Sequence, residues 1–522
     1  MRTASLADCR TLIRRRTRRR FAVAAASLAA GLALAATATT LPPARSAPAT
    51  RIDGDGGTGI VFVNLDREQS ATTMGAYYDC HRPPSTPPVT LPRMNIPPLT
   101  GVNLFLPVDT RPRPGCGARI TGDRPMAALV RSDWAASGAT SFYHAVRPAT
   151  EVVVPYFVKR GTGDNVGLAV MIDGDAGADV ELTLYDATGT VALQTRYAFT
   201  AHEARLLPLH ETPSVPLGFV GWARLRSTAP LGAVGIIDGL AGHYAAAAFE
   251  GVASASLATT LHAPLVRWSN HPQRTSLTTT WLVNPSDRAV RVTAHYSGLA
   301  APCAGRTFTD APGTIAPHAM GRFDPRAGGL PVNCAAALTL EADGPVAAAV
   351  VDSIDGGTFE AAYTALGRAD AARTVLLPLM RFQHTAMKYT TAIAVHNPSA
   401  VSASVALTMF DDKHQPLPAC DGCRVTLPPG GAHLFASSYA RPLLPSNTFG
   451  SARIESDAPV VAVVIENSES QAADASIHAG IPVPDAPASG PLLVPYTPRG
   501  ANETWRPPVG KRYFPWGDAT RP

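Results

Sequence analysis

Few residues in this chain are placed to do chemistry, and the most regular of them are acids. Asp133, Asp238, Asp352 and Glu466 each fall seven or eight residues after a proline, where a short apolar run ends. A carboxylate at one recurring place could hold a cation between domains, because hard cations take carboxylate and loop carbonyl oxygens. The plainer role is an acid in a turn, bonded to nearby backbone. With one acid per place and no companion cluster, the turn is the expected role. Fourteen histidines are scattered along the chain. His202 and His210 are near each other, but on a strand and its end, where exposure accounts for them. His-Glu-x-x-His, Gly-x-Ser-x-Gly, a phosphate-cradling glycine loop and a calcium loop are all absent from the sequence. No catalytic residue, cofactor or resident metal is therefore expected, and the chain reads as a non-enzyme.

Elements that repeat must position these residues. A polar turn, a proline and a run of small apolar residues occur at Gly122–Val130, Ser227–Val234, Ala342–Ala349 and Ser456–Val463. The marker prolines Pro125, Pro230, Pro345 and Pro459 are spaced 105, 115 and 114 residues apart. Before each lies a short alternating strand; after each comes a strand bearing another proline, at Pro155, Pro264, Pro378 and Pro495. Near the start of each segment an apolar strand meets a polar turn, at Val63-Asn64, Ile172-Asp173, Asn284-Pro285 and Asn397-Pro398.

In the second segment the pattern predicts strands over 167–172, 180–185, 204–209, 222–226, 231–237, 244–249 and 260–266. Period-two alternation (Val180, Leu182, Leu184; Val405, Leu407, Met409) means one packed face and one wet face. Seven short strands in such a length is the rhythm of an immunoglobulin-like sandwich. The expected fold is all-β, with four tandem antiparallel sandwiches over 57–160, 161–268, 269–383 and 384–498. The chain resembles, at the level of architecture, the tandem immunoglobulin-like or fibronectin-like arrays of secreted bacterial proteins. That resemblance carries no functional residues with it.

The N-terminus reads as an export signal: a basic stretch to Arg20, an Ala/Leu-rich run over 21–35 and small residues at 36–38. Thr17-Arg18-Arg19-Arg20-Phe21 resembles a twin-arginine signal, with an ordinary Sec signal as the alternative. Residues 1–38 are thus assigned to the signal and 39–56 to a linker. The formal charge of +5 comes from 45 bases against 40 acids. Without the eight arginines and one acid of residues 1–38, 37 bases face 39 acids, so nucleic acid is not an expected partner. No later run is long enough to span a bilayer as a helix.

The cysteines follow the repeat. Cys80 and Cys116 in the first segment occupy places equivalent to Cys303 and Cys334 in the third, which favours those two pairings. Cys420 and Cys423 flank an Asp-Gly turn and read as a clip across it, ahead of a redox or half-metal site. The tail over 499–522, with Trp505, Tyr513, Phe514 and Trp516, could dock, stack on sugars, or pack on the last domain.

The framing of the domains leaves two outcomes. If each proline strand closes its own domain, all four are complete; this is the expected frame. If it opens the next, the first domain lacks a strand and Leu492–Pro495 is a spare, able to build a head-to-tail filament by donation. The expected role is a non-catalytic exported scaffold, spacer or adhesive protein, with a cell-envelope protein or glycan as partner. The rivals are a polysaccharide- or protein-binding module, which clustered aromatics would favour, and a filament subunit.

Overall fold

The computed structural model describes residues 56–78, 88–105, 116–134, 139–160, 164–207, 209, 212–239, 246–270, 274–354, 359–384, 388–420, 422–436, 444–468 and 476–497. The residues expected to form the export signal, the expected linker up to residue 55, Cys80, His210 and the aromatic tail lie outside them. What is described is all-β, in antiparallel sheets, joined by short turns such as the 3-10 turns Ser254–Ser256 and Arg368–Asp370. Among the described residues no helix is long and apolar enough to cross a membrane.

The same pairing scheme appears in each of the four segments, and the prolines explain it. In the second segment a single strand runs over Phe219–Gly239 with Pro230 inside it. Before Pro230 it pairs with Ala178–Asp186 and Ala149–Lys159; after it, with Asp164–Ile172 and Ala246–Glu250. The marker is thus a bend where one strand changes its ladder partners. Cys334–Ile354 and Thr448–Ser468 do the same. In the first segment the strand breaks there, into Cys116–Gly122 and Met126–Trp134. A proline has no N–H to give a ladder, so it sits where a change of partner leaves no bond to make.

The polar residue two places before each marker proline serves the bend. Asp123, Asp343 and Asp457 accept the backbone N–H of Thr72, Arg291 and Ser404 at 2.7, 2.9 and 2.7 Å. Thr228 accepts that of Asp179 at 3.2 Å. The second set of prolines sits at irregularities too. Registers shift across Pro264, Pro378 and Pro495, and opposite Pro155, so each proline strand is bulged at its proline.

Those proline strands correct the expected frame. Ala149–Lys159, Ala258–Trp268 and Ala372–Phe382 each pair with the long strand of the segment that follows. The first segment takes its proline strand from the far end: Leu492–Thr497 pairs with Cys116–Gly122. Leu492, Leu493, Val494 and Tyr496 are buried in the core of the first segment, with Ile60, Phe62 and Ile120. Tyr143 donates its hydroxyl proton to the carbonyl of Tyr496, and Tyr496 N–H returns a bond to the hydroxyl at 3.2 Å. Tyr363 makes the same exchange with Leu265 in the third segment, at 2.7 and 3.3 Å. The spare strand is therefore engaged within its own chain.

Cores run from each segment into the next. Met171, Val234 and Ile236 of the second join the core of the first. Ala349 and Val351 of the third join that of the second, and Val461 and Val463 of the fourth join that of the third. Val61, Val63 and Leu129 of the first then pack with Leu376, Leu379 and Ile481 of the fourth. The inner strands Ala139–His144, Ala246–Glu250, Phe359–Thr364 and Ser476–Ala479 touch in turn, and the last touches the first. The succession closes on itself.

Two strand expectations fail for physical reasons. Val191–Phe199 is absent from the sequence pattern, because it is an outer strand of exposed and half-buried side chains with no clean apolar face. The pair 222–226 and 231–237 was expected as two strands, because a proline usually ends one.

Candidate functional site

The recurring acids resolve into two different places. Asp352 and Glu466 follow their marker prolines by seven residues; Asp133 and Asp238 follow theirs by eight. Side chains alternate along a strand, so a difference of one residue turns the carboxylate to the opposite face. Ladder register agrees: Asp352 and Glu466 stand opposite Thr278 and Thr391, whereas Ser132 and Ile237 take that place opposite Thr58 and Val166. Asp133 and Asp238 lie in strands one residue further on, and their side chains are outside the described residues.

Each of the two described acids meets an arginine rather than a second carboxylate. Arg267 Nε donates to Asp352 Oδ2 at 2.7 Å, and Thr278 Oγ1 donates to Oδ1 at 2.8 Å. Arg381 Nε donates to Glu466 Oε1 at 2.6 Å, while its Nη2 reaches Oε2. The backbone N–H of each arginine also bonds the threonine hydroxyl, at 2.9 and 2.8 Å. Both pairs are buried. Burial works against the Glu466 carboxylate, but the Arg381 guanidinium holds it below the usual range. Neither the cation role nor the backbone turn describes these two acids: a guanidinium fills the place a cation would take. Among the described residues no group of three or more His, Cys, Asp or Glu could hold a metal. The signal was available in the sequence, since Pro264-x-x-Arg267 and Pro378-x-x-Arg381 both precede their acid by 85 residues.

Several described cysteines and histidines also have partners within the chain. Cys303–Cys334 and Cys420–Cys423 are at disulfide distance, with Cα separations of 5.8 and 5.2 Å. Cys116 begins a strand, but its expected partner Cys80 is outside the described residues. His202 occupies a left-handed turn (φ 53°), with Nε2 at 2.9 Å from Asp175 and its ring 5.0 Å from Tyr78 of the first segment. His318 repeats this with Asp287 at 2.9 Å and Tyr185 of the second segment at 5.1 Å. His262 and His396 both reach Thr339 Oγ1, at 3.2 and 3.1 Å, across the join of third and fourth segments. Burial pushes their pKa values down to about 4 and about 3, so both are neutral at pH 7.

One cleft lies where the second and third segments meet. It has a volume of about 500 Å³ and is lined from the second segment by Tyr156 and Arg160, and from the third by Trp268, Ser276, Trp281, Arg322 and Arg326. Trp281 stacks on Tyr156, with ring centroids 5.4 Å apart and planes 22° apart. Arg322 stands opposite Trp281 in the ladder and holds its guanidinium 5.7 Å from the indole centroid. Arg326 Nε donates to Asp324 Oδ1 at 2.9 Å and its Nη2 reaches Oδ2, so this guanidinium is held by the carboxylate. Burial opposes the Asp324 carboxylate, yet the bond from Arg326 keeps it below its ordinary range. Among the described lining residues none is an acid. Ser276 is buried, and its hydroxyl has no hydrogen-bond partner in the chain. No expectation from the sequence pointed to this cleft. Sequence reasoning missed it because its residues come from strands far apart in the chain.

No family model matches this chain, and no curated protein matches it. Among solved structures, Thermotoga maritima protein 1070 is similar at 16% identity, over 21% of this chain and 97% of that one, with a TM-score of 0.19. A likeness at that level bears on neither fold nor function.

Proposed function

We propose that the protein is a non-catalytic exported scaffold or adhesive protein of the cell surface or extracellular space, built from four copies of one immunoglobulin-like sandwich. The observation that carries this reading is the pairing of Leu492–Thr497 with Cys116–Gly122. A spacer works by keeping its ends apart, and here the last described strand lies in the sheet of the first segment. A platform that presents its surfaces in fixed relation fits that arrangement better. Asp352, Glu466, His202, His262, His318 and His396 have partners within the chain, which supports a non-catalytic role. Strand donation to a neighbour is disfavoured, because the strand it would use is paired in its own chain.

Mature protein passed over immobilised cell-envelope fractions and glycans tests the adhesive part; retention on neither counts against it. Small-angle scattering tests the platform: a compact chain of about 440 residues has a radius of gyration of about 22 Å, and an extended row would roughly double it. A polysaccharide- or protein-binding module is the second reading. Its specific support is the convergence of Trp268, Trp281 and Tyr156 with arginines on one cleft.

A further inference from the structure

We infer that acid opens the closed succession of segments at one place, the join of the fourth segment with the first, and that His478 operates this opening. The first ground is that this join is built differently from the other three. Ile236, Val351 and Ile465, each six residues past its marker proline, are buried in the core of the preceding segment. Their counterpart in the first segment is Arg131, whose charge acts on Glu466 and His384 of the fourth. Among the described residues none of the first segment enters the core of the fourth. The two meet instead in a small separate cluster that includes Val61, Val63, Leu129, Leu376, Leu379 and Ile481. The bonds differ as well. Arg119, Arg224 and Thr339 each reach the next segment, at Asp173 (2.6 Å), the Pro285 carbonyl and His396 (3.1 Å). Their counterpart Arg453 turns to Glu455 and the Phe410 ring of its own segment. Thr140 with Tyr389, and Arg67 with Thr374, cross this join instead, both at 3.2 Å.

The second ground is the histidine itself. Tyr143, Phe249, Tyr363 and His478 stand at one ladder position, opposite Val130, Gly235, Val350 and Val464. Three segments place a phenyl or phenol ring there, and the fourth an ionisable one. His478 is buried, and its ring lies 4.9 Å from Phe142 of the first segment. Its Nδ1 donates to the Ala479 carbonyl at 3.0 Å, so a second proton must go to Nε2. Nε2 is buried with no hydrogen-bond partner among the described residues, and a proton there would bury a cation at the join with nothing to accept its N–H. Glu466 favours that cation but is held by Arg381 and Ser476, while Arg381 and His144 oppose it. His144 Nδ1 lies 3.7 Å from Glu250, and Glu360 on the neighbouring strand accepts from Ser353 at 3.2 Å. Burial is the largest influence and pushes the His478 pKa down to about 4. Opening exposes the ring and restores a value near 6.5, so the open form takes up a proton that the closed form refuses. Closure is therefore favoured fully above about pH 6.5 and less as the pH falls toward 4. At pH 5 the shift favours opening about twentyfold more than at pH 7.

The test is thiol labelling of two variants of the full mature chain, at pH 7 and pH 5. Leu379→Cys puts a buried thiol at the join of fourth and first segments; Val351→Cys puts one at the join of second and third. Each labelling rate is divided by that of an unfolded peptide with the same cysteine at the same pH, which leaves the frequency of opening. Labelling of Leu379→Cys should rise about twentyfold from pH 7 to pH 5, and that of Val351→Cys should rise less than about threefold. His478→Phe, which installs the residue found at position 249, should remove most of the rise in the Leu379→Cys background. Should His478→Phe fail to fold, His478→Tyr, the residue found at positions 143 and 363, takes its place. Should neither fold, the comparison of the two cysteines decides alone. An equal rise at both cysteines would mean general acid unfolding and overturn the inference. No rise at Leu379→Cys would overturn it too, as would a rise that persists without the histidine.

Discussion

At one station of the fold, the second segment and the two that follow have solved the same packing problem in opposite ways. The second fills it with Val158, Val166 and Ile237, all buried. The third and fourth put Arg267, Thr278 and Asp352, or Arg381, Thr391 and Glu466, in the equivalent register positions. The station must therefore be filled, but the fold does not demand an ion pair there. This agrees with the general balance for buried pairs, where desolvation offsets most of the attraction and a well-packed apolar set does as well. Removing one partner is a different matter, because it strands the other charge away from water.

That asymmetry gives the largest expected effect. Glu466→Ala should destabilise the protein by about 3–5 kcal/mol in denaturant unfolding, by leaving the Arg381 guanidinium buried and unpaired. A loss under about 1 kcal/mol would mean that Arg381 finds another partner. The cysteines extend the contrast, since the second segment has none. Reducing or replacing the Cys303–Cys334 pair should cost the third segment about 3–4 kcal/mol in the chain-entropy view, and an unchanged denaturation midpoint would contradict it.

Acid should sharpen the contrast further. His262, His384, His396 and His478 are all in the third and fourth segments, and burial lowers their pKa values to about 4, 4, 3 and 4. An unfolded histidine titrates near 6.5. Between that pH and about 4, the unfolded chain takes up protons that the folded chain refuses. Stability should therefore be flat in this respect above pH 6.5, and should fall as the pH drops from 6.5 to about 4. Melting temperatures across pH 4–8 would show a decline of several degrees; a flat profile below pH 6.5 would contradict the burial of these rings. The smallest effect is expected from the joint replacement Arg267→Val, Thr278→Val and Asp352→Ile, which copies the second segment into the third. Its stability should change by less than about 2 kcal/mol, in either direction. A large loss would show that the third segment depends on its pair in a way the second does not.

Much of the fold is legible where the determinant is local. The alternation of Val180, Leu182 and Leu184, the marker prolines, and the polar residue two places before each can all be read from the chain. Each acts on its own strand or bend. The buried Asn64, Asn284 and Asn397 belong here too: each accepts the N–H two residues on, at 2.9, 3.1 and 3.0 Å, while its amide holds nearby loop carbonyls. The candidate cleft is less legible. Trp281 and Arg322 differ from their counterparts, but only the ladder shows that they face each other and which segment they face. The acids mislead in a simpler way, because counting seven or eight residues as one position ignores the alternation that separates two faces.

Local preferences in the chain set the strands, the bends and the spacing of the marker prolines. These follow from backbone and side-chain preferences within a few residues of each other. The frame depends on long-range pairing instead, because the partner of Leu492–Thr497 lies at Cys116–Gly122, and Tyr143 meets Tyr496 across 353 positions of sequence. Two completions of the first segment, by its own terminal strand or by none, are equal in every local preference. They differ in whether Ile120 and Tyr143 find a covering strand, and burial of that core settles the choice.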